Sequence, residues 1–321
     1  MRIEALKLIA CPVCKQPLGL KNATEETEGH VMSGELHCHD CAHTYPIIGG
    51  VPRLLPPDIA PQDIATGEAY SKYYAKVTPG GVTGDDKLYG KTVDEEIDDF
   101  CAKTGLDDLH QLEGKVFLDA GCGLARIEGA LSKHCQDILA FDVSPSVEQA
   151  FQAWRNLPNV HIVQGDLTSA PILPERFDFV WCDGALPYVS DVEMAVRGLL
   201  AARSPTGFLY SWCYGPQVKL SHRLGRIFHA TRLPMKIRFL LIYATCWGIR
   251  AAVSIRRREN MLGNVHLFAQ GVLDASLAGQ INHVSEAQLM AWFKASGLND
   301  NVPILIISRG KNLDFRVGVI G

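Results

Sequence analysis

From Lys115 onward the chain alternates short apolar runs with longer amphipathic stretches. The runs at 115–119, 138–142, 160–164, 178–182 and 207–213 have the length of strands, and 303–308 supplies a late one. Helices fill the gaps between them, so the pattern predicts a parallel sheet with helices on both faces. Upstream, Val93, Ile97, Phe100 and Cys101 recur at helical spacing and predict one amphipathic helix. Around it lies a polar, acidic stretch with Tyr70, Tyr73 and Tyr74 and a Gly-rich turn at Pro79–Gly84. The first part of the chain has a different texture: short polar loops, paired cysteines and a strand-like segment from Tyr45 to Pro56. Pro56-Pro57 marks its end. The expected organisation is a unit over 1–57, a helical linker and cofactor cover over 58–113, and an α/β domain over 114–321. A helical insertion interrupts that last domain at about 216–262.

No uninterrupted apolar run reaches the roughly 18 to 20 residues of a membrane span. The nearest, Phe239 to Ile255, carries Arg250 and falls short. The first ten residues mix charges with apolar residues and do not form a secretory leader, so a cytoplasmic location is expected. The net charge of −4 excludes the whole protein as a polyanion binder. Its distribution is uneven: Gln217–Arg258 holds ten Lys or Arg and no acid, leaving −14 on the remainder.

Asp119 ends the first strand, and Gly121-Cys-Gly123 turns the chain into a helix, where glycines permit close backbone approach to a ligand. A dinucleotide site would place its third glycine at 126, which is Arg126. An acid before the turn suits a cationic ligand better than a diphosphate. Asp142, about 20 residues past the turn, ends the second strand where a carboxylate can accept ribose hydroxyls, and Asp166 follows the third strand, where an adenine amino group would sit.

Val116–Arg126, Phe141-Asp-Val-Ser-Pro145, Gln164-Gly-Asp-Leu167 and Phe177–Gly184 resemble motifs I to IV of class I S-adenosylmethionine (SAM) dependent methyltransferases. The small-molecule and quinone methylating branch is the nearest in pattern. Ser285–Gly297 resembles that branch's last helix, ahead of its hairpin strands. The likeness covers 115–215 well and 280–310 loosely, and Ala125 stands where a third glycine is common. It implies a Rossmann-like, seven-stranded fold with SAM as cofactor. Asp119, Gly121 and Gly123 would hold the methionine end, Asp142 the ribose, and Asp166 with Leu167 the adenine. Cys122, Val143 and Cys182 are further candidates for the cofactor site.

Cys11-Pro-Val-Cys14 and Cys38-His-Asp-Cys41, 23 residues apart, place four thiolates on two knuckles, the pattern of a structural zinc ribbon. A rubredoxin-like iron, a redox dithiol, or a histidine ligand from His37, His39 or His43 are the alternatives. Residues 1–56 resemble the small zinc-ribbon activator protein that partners tRNA, rRNA and release-factor methyltransferases, here fused in cis to a catalytic domain. Docking, stabilisation and substrate contact all remain open as its role.

For the acceptor side, Asp183 and Tyr188, just past the fourth strand, are candidates to orient or deprotonate a hydroxyl or amine. His222 is a candidate base from the insertion, with His229, His266 and His283 as further candidates. Methyl transfer can also proceed by alignment alone. The insertion permits three readings: a lid over a hydrophobic or anionic small molecule, a membrane-surface contact through 217–258, or an RNA-binding face. Phe239, Tyr243 and Trp247, four apart, fit the first two better. The expectation is methyl transfer to a small or lipid-like metabolite. An RNA (rRNA or tRNA) methyltransferase and a catalytically silent SAM-binding activator or scaffold are the competing readings. The oligomeric state is not legible from the chain.

Overall fold

A computed structural model of the protein describes residues 1–257, 265–299 and 301–320. The N-terminal unit is four antiparallel strands: β1 (Leu18–Thr27), β2 (His30–Cys38), β3 (Thr44–Ile48) and β4 (Val51–Leu54). Two helices follow, α1 (Pro61–Val77) and α2 (Val93–Thr104). The α/β part then runs β5 (Val116–Ala120), α3 (Glu128–Leu131), β6 (Asp137–Asp142), α4 (Val147–Trp154), β7 (Val160–Gly165), β8 (Phe177–Cys182), α5 (Val192–Ala202) and β9 (Arg203–Tyr214). Three helices of the insertion region, α6 (Leu220–Ala230), α7 (Met235–Arg257) and α8 (Val265–Leu277), precede α9 (Glu286–Ala295) and the hairpin β10 (Ile304–Arg309) and β11 (Asn312–Val317).

Across the sheet the order is β1-β2-β3-β4-β7-β6-β5-β8-β9-β11-β10. The seven strands β5 to β11 form the Rossmann-like part, parallel except at β11 and β10. Leu118, Leu139, Val163, Val180 and Leu209 are buried on one side of it, and Phe117, Ile138, Ile162 and Phe179 on the other. Burial on both faces is why these strands read as continuous apolar runs.

The N-terminal unit does not stand apart. β4 adds in parallel to β7, pairing Arg53 with Gln164 and Leu54 with Gly165. Its core residues Ile9, Leu36 and Leu54 share one hydrophobic cluster with Leu118, Phe141 and Leu209. At a second seam Ala10 N donates to Pro171 O at 2.9 Å, Leu173 N to Leu8 O at 2.9 Å, and Lys15 Nζ to Ala170 O at 3.0 Å.

The helix expected around Val93–Cys101 is α2, fixed at its start by a capping box between Thr92 and Glu95 and ended by Gly105 at φ +87°. Thr92→Ala is expected to cost about 1 kcal/mol, seen as a fall in unfolding temperature with no change in the far-ultraviolet spectrum.

One expectation is corrected. The apolar stretch that falls short of a span at 239–255 is part of a longer continuous helix, α7, whose Arg250 guanidinium lies 4.8 Å from the ring centre of Phe268 on α8. Met235–Arg256 is consequently long and apolar enough to cross a membrane, with a mean hydropathy of 1.3. Arg258, at the end of the basic run, lies outside the described residues.

Candidate functional site

The carboxyl ends of β5, β6, β7 and β8 open into a cavity of about 510 Å³, within the range of small-molecule sites. Its floor is the turn after β5. Gly121 has φ +82°, and a Cβ there would sit 2.4 Å from the Cβ of Ala185; Gly123 has φ +55°, with the Tyr74 hydroxyl above it. Ala125, where a glycine is common, also takes a left-handed φ of +52°. Its carbonyl accepts a hydrogen bond from Trp154 Nε1 at 2.6 Å.

The three strand-end acids converge on this cavity, with Gly121, Cys122, Gly123, Val143 and Leu167 beside them. Asp142 accepts from Gly123 N at 2.9 Å and Ser144 N at 2.7 Å. These bonds aim the carboxylate and leave lone pairs for a further ligand. Asp166 accepts from Thr168 Oγ1, and burial raises its pKa. Asp119 is pushed well above the usual carboxylate range, first by burial and then by Glu128 against it. Nine carboxylates line the cavity against four cations, Lys91, Lys103, Arg126 and Arg309.

Arg126 turns out to have its own task. Its guanidinium donates to Glu96 at 2.9 Å and to Asp86 O at 2.7 Å, tying α2 and the 78–91 segment over the glycine turn. α1 covers the ribose side, where Gly67 lies so close to Val143 and Ser144 that a Cβ would come within 2.9 Å of Val143.

Cys182 is not in the wall. It is fully buried on the opposite face of β8, while Trp181 and Asp183 on either side of it line the cavity. Side chains alternate along a strand, so a residue next to a site residue points away from it. Asp183 does reach the cavity, but it accepts from Lys103 Nζ at 2.7 Å and Trp212 Nε1 at 2.6 Å. Those bonds suit an orienting group better than a base. His222 is also displaced from its expected place: it stands behind Tyr214, ring centres 4.2 Å apart, outside the cavity wall. Its Nδ1 lies 3.1 Å from His283 Nε2, and burial lowers its pKa to about 4. His229 meets Ser276 O, and His266 meets Tyr243.

Tyr188 does line the cavity and leads to a group the chain alone did not announce. Its hydroxyl donates to Asp274 on α8 at 2.7 Å and lies 3.0 Å from the Tyr214 hydroxyl. Tyr70 donates to the other oxygen of Asp274 at 2.9 Å. Asp274 has its pKa raised by burial, an effect its two tyrosine donors only partly offset. Tyr70, Tyr74, Tyr89, Tyr188 and Trp212 make this half of the cavity aromatic.

At the far end of the shared sheet the four thiols of Cys11, Cys14, Cys38 and Cys41 gather within 4.8 Å of one another. Three of their separations are 3.4, 3.4 and 3.5 Å. A tetrahedral ion with Zn–S bonds near 2.3 Å needs sulfurs about 3.8 Å apart, so small adjustments suffice. The Tyr45 hydroxyl is 3.1 Å from Cys11 Sγ and His43 Nδ1 is 3.2 Å from Cys41 Sγ, in position to brace the cluster from outside.

A model of the methyltransferase domain family matches residues 118–211, and a model of Trm112p-like proteins matches 3–50. The chain thus carries a methyltransferase domain behind a Trm112p-like domain. Similar proteins include a malonyl-[acyl-carrier protein] O-methyltransferase of Methylovorus sp., 26% identical over 34% of this chain and 40% of that protein. A ubiquinone biosynthesis O-methyltransferase of Coxiella burnetii is 29% identical over 31% of this chain and 43% of its own length. The chain spans about two fifths of these relatives. Among solved structures, a complex between the Haloferax volcanii Trm112 methyltransferase activator and a putative methyltransferase aligns at a TM-score of 0.40. There the identity is 14%, over 70% of this chain and 92% of that one.

Proposed function

We propose that the protein is a SAM-dependent methyltransferase acting on a small or lipid-like metabolite, with a structural zinc ion in its N-terminal ribbon. The observation that carries the reading is the convergence of Asp119, Asp142 and Asp166 with the Gly121–Gly123 turn on one acid-lined cavity. Asp119 would face the ammonium of the methionine end, Asp142 the ribose hydroxyls, and Asp166 with Leu167 the adenine. Bound SAM supplies an electrophilic methyl group on a sulfonium. The chain's own residues do the rest: the aromatic half of the cavity holds the acceptor and keeps water away, Asp183 orients it, and Asp274 receives its proton, directly or through Tyr188.

The relatives named above are, by name, a malonyl-[acyl-carrier protein] O-methyltransferase and a ubiquinone biosynthesis O-methyltransferase, and a tyrosine-rich acceptor site suits chemistry of that kind. The aromatic lining of the acceptor half, Tyr70, Tyr74, Tyr89, Tyr188 and Trp212, favours a small apolar acceptor over an RNA backbone, which needs a basic groove. Bound zinc would be held by the four cysteines alone, a closed site without a coordination position for substrate.

Asp274→Asn is expected to lower kcat on the order of 10²-fold. The sign of its pH effect follows from burial: a raised pKa means the carboxyl keeps its proton to higher pH, so the rate should climb as that proton leaves. The variant should lose this rise, and release of S-adenosylhomocysteine against pH measures it. Wild-type protein that binds SAM yet transfers no methyl group to quinone-precursor, acyl-thioester or lipid acceptors would instead favour the silent scaffold.

A further inference from the structure

α7 is apolar on two faces. One packs inward, with Ile242 and Cys246 fully buried against α8 and α1. The other turns to solvent: Ile237, Leu240, Leu241, Ala244, Trp247 and Ile255 recur three, four and eight residues apart along one stripe. Leu240 is 70% exposed, Trp247 60% and Ile255 81%. A surface helix of a water-bathed protein carries polar residues on that face. An outward apolar stripe of this length marks a contact site.

The charge around the stripe says what it meets. Lys236 and Arg256 are exposed near the two ends of the helix, and Arg223, Arg226 and Arg232 are exposed on and just after α6. From Gln217 to Arg257 there is no acidic residue to balance them. We propose that the outward face of α7 lies in the headgroup region of an anionic lipid bilayer, with its aliphatic residues and Trp247 inserted and the cations against lipid phosphates. A second copy of the chain on this stripe would bring two uncompensated basic faces together. A membrane-spanning role does not fit, because one side of the helix is occupied by α8 and Arg250 lies on it.

The position has a consequence for the acceptor. α7 packs on the helix that carries Asp274 into the cavity, so docking would bring the acceptor half of the cavity close to the lipid phase. This part rests on the lipid-like acceptor proposed above; the docking itself does not.

The test uses the full chain with vesicles of phosphatidylcholine alone and vesicles containing about one-third phosphatidylserine. Wild-type protein is expected to sediment with the anionic vesicles, less with the neutral ones, and to be released by salt. Leu240→Glu combined with Trp247→Glu should lower the partition coefficient at least about tenfold. Both positions are exposed, so the variant should keep the wild-type unfolding temperature and SAM titration. Wild-type protein that binds neither vesicle overturns the proposal, as does a variant that binds like wild type. So does a wild-type dimer that the variant converts to monomer. Vesicle binding is measured without SAM, so a chain that binds SAM but not vesicles sinks only the docking surface.

Discussion

Gly121→Val is expected to abolish SAM binding while leaving the protein folded. Gly121 sits at φ +82°, where a β-branched residue costs roughly 1–3 kcal/mol. Its added Cβ would also stand 2.4 Å from Ala185, in the loop that carries Asp183 and Tyr188. Relieving that clash moves either the glycine turn or the acceptor loop, and both line the cavity. An affinity loss on the order of 10³-fold follows, each tenfold step being about 1.4 kcal/mol. Gly184→Ala separates strain from clash: its φ is +83°, but no atom lies within 4 Å of the added Cβ. It carries the strain without the clash and should lose less affinity than Gly121→Val, so calorimetric titration of both variants with SAM shows which effect dominates. Equal, small losses would mean that the turn does not carry the cofactor.

The second large effect concerns the cysteines. Cys38→Ser, or a strong chelator, should remove the metal and lower the unfolding temperature by more than about 10 °C, because binding energy at such sites is largely folding energy. The loss should not stay within the ribbon. β4 is a strand of the common sheet, and Leu8, Ala10 and Lys15 brace Ala170–Leu173 just beyond Asp166. Freed of that brace, the adenine-side loop is expected to loosen and SAM affinity to fall with it. Metal analysis, thermal unfolding and SAM titration of the same sample check this. A metal-free chain with unchanged SAM affinity would reduce the ribbon to an appendage.

The strands of the central sheet were legible because burial on both faces makes each an unbroken apolar run, and Asp119, Asp142 and Asp166 were legible because each ends such a run. The hairpin strand β11 carried no comparable signal: Asn312–Val317 mixes Asp314 and Arg316 into its run. Cys182 lies one step of strand alternation away from the cavity wall, and His222 sits behind Tyr214, which no local signal in the chain announces. The 239–255 stretch reads as too short for a span because α7 continues upstream through Lys236 and Arg238, which an apolar run does not count. Asp274 is invisible in the chain because its setting is tertiary. Nothing local distinguishes it, and its role arises only when α1, α8 and the loop after β8 bring Tyr70 and Tyr188 to its two oxygens. The tyrosine cluster at 70–74 is plain in the chain, but periodicity does not say that it roofs a cavity whose floor lies some fifty residues further on.

The most direct measurement is calorimetric titration of the zinc-loaded, folded wild-type chain with SAM and with S-adenosylhomocysteine. The expected result is one molecule bound per chain, with binding weakened by Asp142→Ala and lost in Gly121→Val. A folded, metal-replete protein that takes up neither ligand would contradict the assignment of the acid-lined cavity to SAM.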